Sequence, residues 1–161
     1  MRPASYSGDV IFEGELGVVI SQRCYQVSEL AAADFVFGYT CVNDVTAIDW
    51  LRADASFPQW TRAKGAPTFG AIGPSVATSL DLEQARVVVT VGGEKRQDYA
   101  VSDMIFSPLQ IVSAISQDIE LHPGDVIACG TSVGTGPIPG GAEVQIEIDG
   151  IGVLSNRFES A

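Results

Sequence analysis

Residues 142–158, AEVQIEIDGIGVLSNRF, restrict the fold more than any other stretch. Val144, Ile146 and Ile148 alternate with Glu143, Gln145 and Glu147, the two-residue period of a strand with one face turned inward. Asp149-Gly150 then supplies a tight hairpin turn. A second hairpin is written in RVVVTV, Gly92-Gly93 and EKRQDY. Residues 10–20, VIFEGELGVVI, read as the first strand, YTCVND as another that finishes at Asp44, and DVIACGT as a strand entered through the turn HPGD. Helices are fewer. Ser28 is a fitting N-cap for ELAAADFVF, with Glu29 well placed for the helix dipole and Gly38 as the stop. Ser107-Pro108 starts another, with Pro108, Val112, Ile115 and Ile119 at helical spacing. Between Trp50 and Ser75, repeated Pro and Gly mark a long ordered loop. These signals predict a strand-rich α+β domain with two or three helices, its sheet closed or rolled rather than doubly wound.

At 161 residues the chain is read as a single domain, 1–161. Hydrophobic residues make up 46% and charged ones 18%, a globular composition. Twenty acidic residues against nine basic ones leave a net charge of −11, which repels phosphate backbones and anionic lipid. Nucleic acid and membrane are therefore not the expected partners, whereas a divalent cation is compatible with the charge. Cys24, Cys41 and Cys129 are widely spaced with no C-x-x-C pair, and read as buried free thiols in a reducing compartment. No apolar leader core precedes the first strand and no run reaches membrane-spanning length, so a cytoplasmic protein is expected.

Two familiar chemistries are disfavoured by the motifs. His122 is the only histidine, it precedes a proline in a turn, and no G-x-S-x-G accompanies it, which argues against a Ser-His-Asp triad. GTSVGTGPIPGG has no Lys-Ser/Thr after its glycines and carries two prolines that oppose a helix. It reads either as a strand-to-loop exit or as backbone N–H groups offered to an anion beside Thr131. Glu13 and Glu15 are two apart in a strand and so share a face. Either they form an exposed acidic edge, or their mutual repulsion is relieved by a hard cation with oxygen ligands. Asp44 is a natural third ligand.

The order of EGELGVVI, FGYTCVNDVTAID, QWTRAKG, SDMIF, LHPGDVIACGT and IEIDGIGVLSNRF resembles that of the fumarylacetoacetate hydrolase family over nearly the whole chain. The resemblance implies that family's rolled mixed β-sheet and a homodimer. It implies a Mg²⁺ or Mn²⁺ site (Ca²⁺ as a crystal substitute) at Glu13, Glu15 and Asp44. Lys64 matches the active-site lysine, and Gly130-Thr131 a substrate-contacting pair. The family's substrates are 2-oxo acids and 1,3-dicarbonyls, handled through a metal-stabilised enolate with hydrolysis, decarboxylation or isomerisation as outcomes. Two substrate-binding positions depart from the pattern: Ile48 replaces an arginine and Leu51 a polar residue, so a bidentate carboxylate grip is lost and a more apolar substrate is expected. The segment bearing the family's water-activating His/Glu pair is expected to be absent. That favours decarboxylation or tautomerisation; the alternatives are C–C hydrolysis of acylpyruvate type with the lid supplied elsewhere, or a non-catalytic accessory protein.

Overall fold

The structure is a computed structural model that describes residues 2–3 and 5–159. The run 10–20 is not one strand but two, β1 (Val10–Phe12) and β2 (Gly14–Ile20), belonging to different sheets. The chain turns at Glu13, whose backbone is held from both sides. Its N–H donates to Asn43 Oδ1 (3.3 Å), and its carbonyl accepts from the Asp44 N–H (2.9 Å). Gly14 then passes so close to the neighbouring sheet that a Cβ there would overlap the Val89 side chain. Phe12 and Leu16, on either side of the turn, both enter one core, whereas Val18 and Ile20, further along β2, enter another.

After β2 the chain forms α1 (Glu29–Ala32), with the Ser28 hydroxyl accepting from the Ala31 N–H at 3.3 Å as its cap. A 3₁₀ turn over Ala33–Phe35 leads into β3 (Val36–Asn43). Gly38 is therefore inside a strand rather than a helix stop; it lies against the Ala77 backbone, where a side chain has no room. β4 (Thr46–Ala47) follows, and the stretch expected to be loop contains the end of α2 (Ile48–Arg52), all of α3 (Trp60–Lys64) and most of β5 (Ala71–Ala77). Five-residue helices are too short to print a 3.6-residue period, and β5 carries Gly73-Pro74, tolerable because it is an edge strand. The predicted hairpins follow: β6 (Arg86–Val91) with β7 (Glu94–Ala100), and, beyond α4 (Pro108–Asp118), β8 (Val126–Ala128) and β9 (Gly136–Pro137), β10 (Glu143–Ile148) with β11 (Gly152–Arg157). Helix α4 opens on a full capping box between Ser107 and Gln110, with Pro108 in its first turn.

The strands make three sheets, ordered β4-β1-β9, β11-β10-β6-β7 and β5-β3-β2-β8. Every pairing among the described residues is antiparallel, where a mixed sheet was expected; tight turns fix the opposite sense in the β6–β7 and β10–β11 hairpins, and the distant pairs β1–β9, β2–β8 and β6–β10 share it. The larger core gathers Phe12, Leu16, Val87, Val89, Ile146 and Ile148 between sheets. The smaller core joins Val18, Ile20 and Ile127 to Ala32 of α1 and Val112 of α4. Each large side chain buried this way contributes about 1.5–3 kcal/mol relative to exposure. All three cysteines are free and buried, Cys41 in the larger core, Cys24 and Cys129 in the smaller. Among the described residues no helix is long and apolar enough to cross a membrane.

Candidate metal centre and adjoining cavity

The turn at Glu13 and the end of β3 bring three carboxylates together. One oxygen from each of Glu13, Glu15 and Asp44 lies within 4.8 Å of the others. Lys64, the last residue of α3, points its ammonium into the group. It donates to Glu13 Oε2 at 2.7 Å and to Asp44 Oδ2. One turn earlier on α3, the Trp60 ring lies 5.6 Å from Lys64 Nζ, within cation–π range. Thr46 Oγ1 reaches Glu13 Oε2 at 3.4 Å and the Asp44 carbonyl at 3.0 Å. The Glu13, Asp44 and Lys64 side chains are partly exposed, while Glu15 is only 3% exposed.

Burial dominates the titration of Glu15. It pushes the carboxyl up to about 7, assisted by the negative charges of Asp44 and Glu13 and opposed by the Gly130 N–H and Lys64. For Lys64, burial works against the charged form, but its hydrogen bonds to Asp44 and Glu13 and their charges outweigh it, and its pKa is raised. Three carboxylates facing one ammonium leave the cluster short of positive charge. The donors are all hard oxygens, which suits Mg²⁺ or Mn²⁺.

The glycine-rich segment after β8 closes the other side of Glu15. The Gly130 N–H donates to Glu15 Oε2 at 2.7 Å, so the anion this backbone group serves is a carboxylate of the same chain. Thr131 Oγ1 donates to the Gly14 carbonyl (2.9 Å) and accepts from Gln97 Nε2 (2.9 Å). Its one proton is thus directed at the backbone between the two glutamates. Gly130 and Thr131 also line a cavity of about 580 Å³, whose other walls include Tyr99, Met104, Phe106 and Ile111. Ile48 and Leu51 lie on α2, which packs against α3; neither lines this cavity. His122 sits in the turn before β8 with its ring largely exposed, 3.5 Å from Glu120.

The structure adds residues that motif reading passed over: Gln97 and Tyr99 of β7, Thr46, and Trp60. A signal for the first two existed. They stand two apart in a strand, on the face that buries Gln97 to 2% and Tyr99 to 8%. A glutamine on such a face needs partners.

The profile for the C-terminal domain of fumarylacetoacetate (FAA) hydrolase matches residues 1–159. The chain belongs to the fumarylacetoacetate hydrolase family. An Archaeoglobus fulgidus protein is 44% identical over 147 residues, covering 91% of this chain and 58% of the relative. Two solved structures superpose closely. The 5-carboxymethyl-2-hydroxymuconate delta-isomerase of Mycobacterium smegmatis has a TM-score of 0.89 at 41% identity, covering 94% of this chain and 59% of its own. The fumarylpyruvate hydrolase of Pseudomonas aeruginosa, solved with Mn²⁺ and pyruvate, has a TM-score of 0.91 at 29% identity, covering 99% and 70%. The chain spans 58% and 61% of the lengths of two curated archaeal relatives it matches. The rolled, strand-rich architecture read from the motifs is therefore that of the family's C-terminal domain.

Proposed function

We propose that this chain carries the catalytic centre of a divalent-metal-dependent enzyme acting on a 2-oxo acid or 1,3-dicarbonyl compound, with decarboxylation or tautomerisation as the favoured outcome. The convergence of Glu13, Glu15 and Asp44 beside Lys64 carries this reading. A Mg²⁺ or Mn²⁺ ion held by the three carboxylates supplies Lewis-acid polarisation of the substrate's carbonyl. The presence of Mn²⁺ in the Pseudomonas relative supports that assignment.

The chain's own residues have separable roles. Lys64 keeps its proton at neutral pH, because two carboxylates hold it, and so acts as a fixed positive charge for a developing oxyanion rather than as a base. Gly130 orients Glu15, and Thr131 forms the wall between the carboxylates and the cavity. Among the cavity's lining residues the one charged side chain is Asp103, with Met104, Ile105, Phe106, Ile111 and Val133 supplying apolar surface. Such a lining accepts an uncharged substrate arm and repels a second carboxylate.

Hydrolysis of a C–C bond is the competing outcome, favoured by the similarity to fumarylpyruvate hydrolase. One experiment covers both. Mn²⁺ and Mg²⁺ binding is measured by calorimetry, and enol absorbance is followed with oxaloacetate and a panel of 2-oxo acids and acylpyruvates. Glu13→Ala should abolish high-affinity cation binding; Lys64→Ala should keep it and lose about 100-fold or more in turnover. A wild-type protein that binds neither cation would sink the proposal, and release of two acids from an acylpyruvate would assign hydrolysis instead.

A further inference from the structure

Gln97 is 2% exposed and belongs to neither the carboxylate cluster nor either hydrophobic core, yet its amide is fully engaged. Oε1 accepts from the Gly14 N–H at 3.3 Å. Nε2 donates to Thr131 Oγ1 at 2.9 Å and to the Ser132 carbonyl at 2.8 Å, with a longer contact to the Val133 carbonyl at 3.4 Å. Thr131 passes the connection on, donating to the Gly14 carbonyl at 2.9 Å, where Tyr99 Oη also donates at 2.8 Å.

The geometry follows from what Gly14 connects. Its N–H belongs to the peptide joining it to Glu13, and its carbonyl to the peptide joining it to Glu15. Both peptides are therefore pinned, and with them the directions in which the two glutamates leave the backbone. The same amide holds residues 131–133, the wall of the cavity, and Gly130 of that wall binds the Glu15 carboxylate. A primary amide is suited to this place because it offers an acceptor and donors on one planar group. A carboxylate has no donor for Thr131 and Ser132, and an apolar side chain of similar length has neither.

We propose that Gln97 is a positioning residue that makes the Glu13–Glu15 pair and the 130–133 cavity wall one unit, so that divalent-cation affinity and the binding of a metal-chelating oxo acid are set together. This rests on the cation reading given above. The loss of one outer partner of a metal ligand typically weakens the metal about 10–100-fold.

The test compares wild type with Gln97→Met and Gln97→Glu, and with Ser116→Ala as a control. Ser116 is fully buried, bonded to the Val27 N–H and the Ser113 carbonyl in the smaller core, away from the carboxylates. Mn²⁺ affinity is read from the free-ion electron paramagnetic resonance signal, and oxalate is then titrated onto the Mn²⁺-loaded protein. Both Gln97 variants should bind Mn²⁺ about 10-fold or more weakly, bind oxalate more weakly, and show an altered bound-Mn²⁺ line shape. Ser116→Ala should lower the melting temperature and leave all three unchanged. If Gln97→Met does not fold, Gln97→Glu, which keeps the shape, decides the matter. Either folded variant binding Mn²⁺ and oxalate within about twofold of wild type overturns the proposal while leaving the cation reading intact. A wild type that binds no Mn²⁺ overturns both.

Discussion

Glu15 carries the largest consequence of any single side chain. Its carboxyl titrates near 7 in the folded chain because burial and two neighbouring carboxylates resist its charge, whereas in the unfolded chain it ionises in the ordinary carboxylate range. Between those values the folded state holds a proton the unfolded state has lost. The stability of the metal-free protein should therefore fall as pH rises through that window, the reverse of a salt-bridged carboxylate. Urea titrations in chelator from pH 4.5 to 8 would show it. A cation must displace the same proton, so Mn²⁺ affinity should climb over that range, and calorimetry in buffers of different ionisation enthalpy would count the proton released. Glu15→Gln separates the two effects. The amide still accepts from Gly130 but brings no buried charge, so the metal-free variant should melt higher than wild type at pH 8 while binding Mn²⁺ about 10-fold or more weakly.

At the scale of elements, the break between β1 and β2 decides where the acids go. Gly14→Ala should cost about 1–3 kcal/mol, because a methyl there meets Val89 across the sheet interface and neither strand moves without the other. Chemical denaturation measures the loss, and a variant as stable as wild type would remove the close approach as the reason for glycine. Ser107→Ala should cost about 1 kcal/mol through the lost α4 capping box, read the same way. These elements also show what the sequence could reveal. The β10–β11 and β6–β7 hairpins and both caps, Ser28 and Ser107, were legible because period and turn chemistry are local. The divided first strand was not, since the pairing of Glu13 with Asn43 and Asp44 is set thirty residues away. The convergence of Glu13, Asp44 and Lys64 was expected from motif order, but the grip of Gln97 on Gly14 spans two sheets: alternation along β7 puts Gln97 on the buried face without saying what it holds.

At the scale of the whole molecule, a net charge of −11 means that cations are drawn to the protein from a distance, and the proposed site between Glu13, Glu15 and Asp44 is where that attraction would become specific. Mn²⁺ at one hundred times its dissociation constant should stabilise the fold by about 2.7 kcal/mol, and Asp44→Asn should erase most of that shift without changing the response to monovalent salt. Differential scanning calorimetry with Mn²⁺ against matched KCl tests the pair. The three thiols give this chain one more property. Cys41 lies in one core and Cys24 and Cys129 in the other; burial pushes Cys41 up to about 11 and Cys129 up to about 12. Cys129 also lines the cavity, whereas Cys24 and Cys41 are unreactive while their cores stay closed. Those two are therefore clocks, one for each core: the order in which an alkylating reagent marks them records which core opens first, and a cation that slows one mark more than the other reveals how far its grip extends.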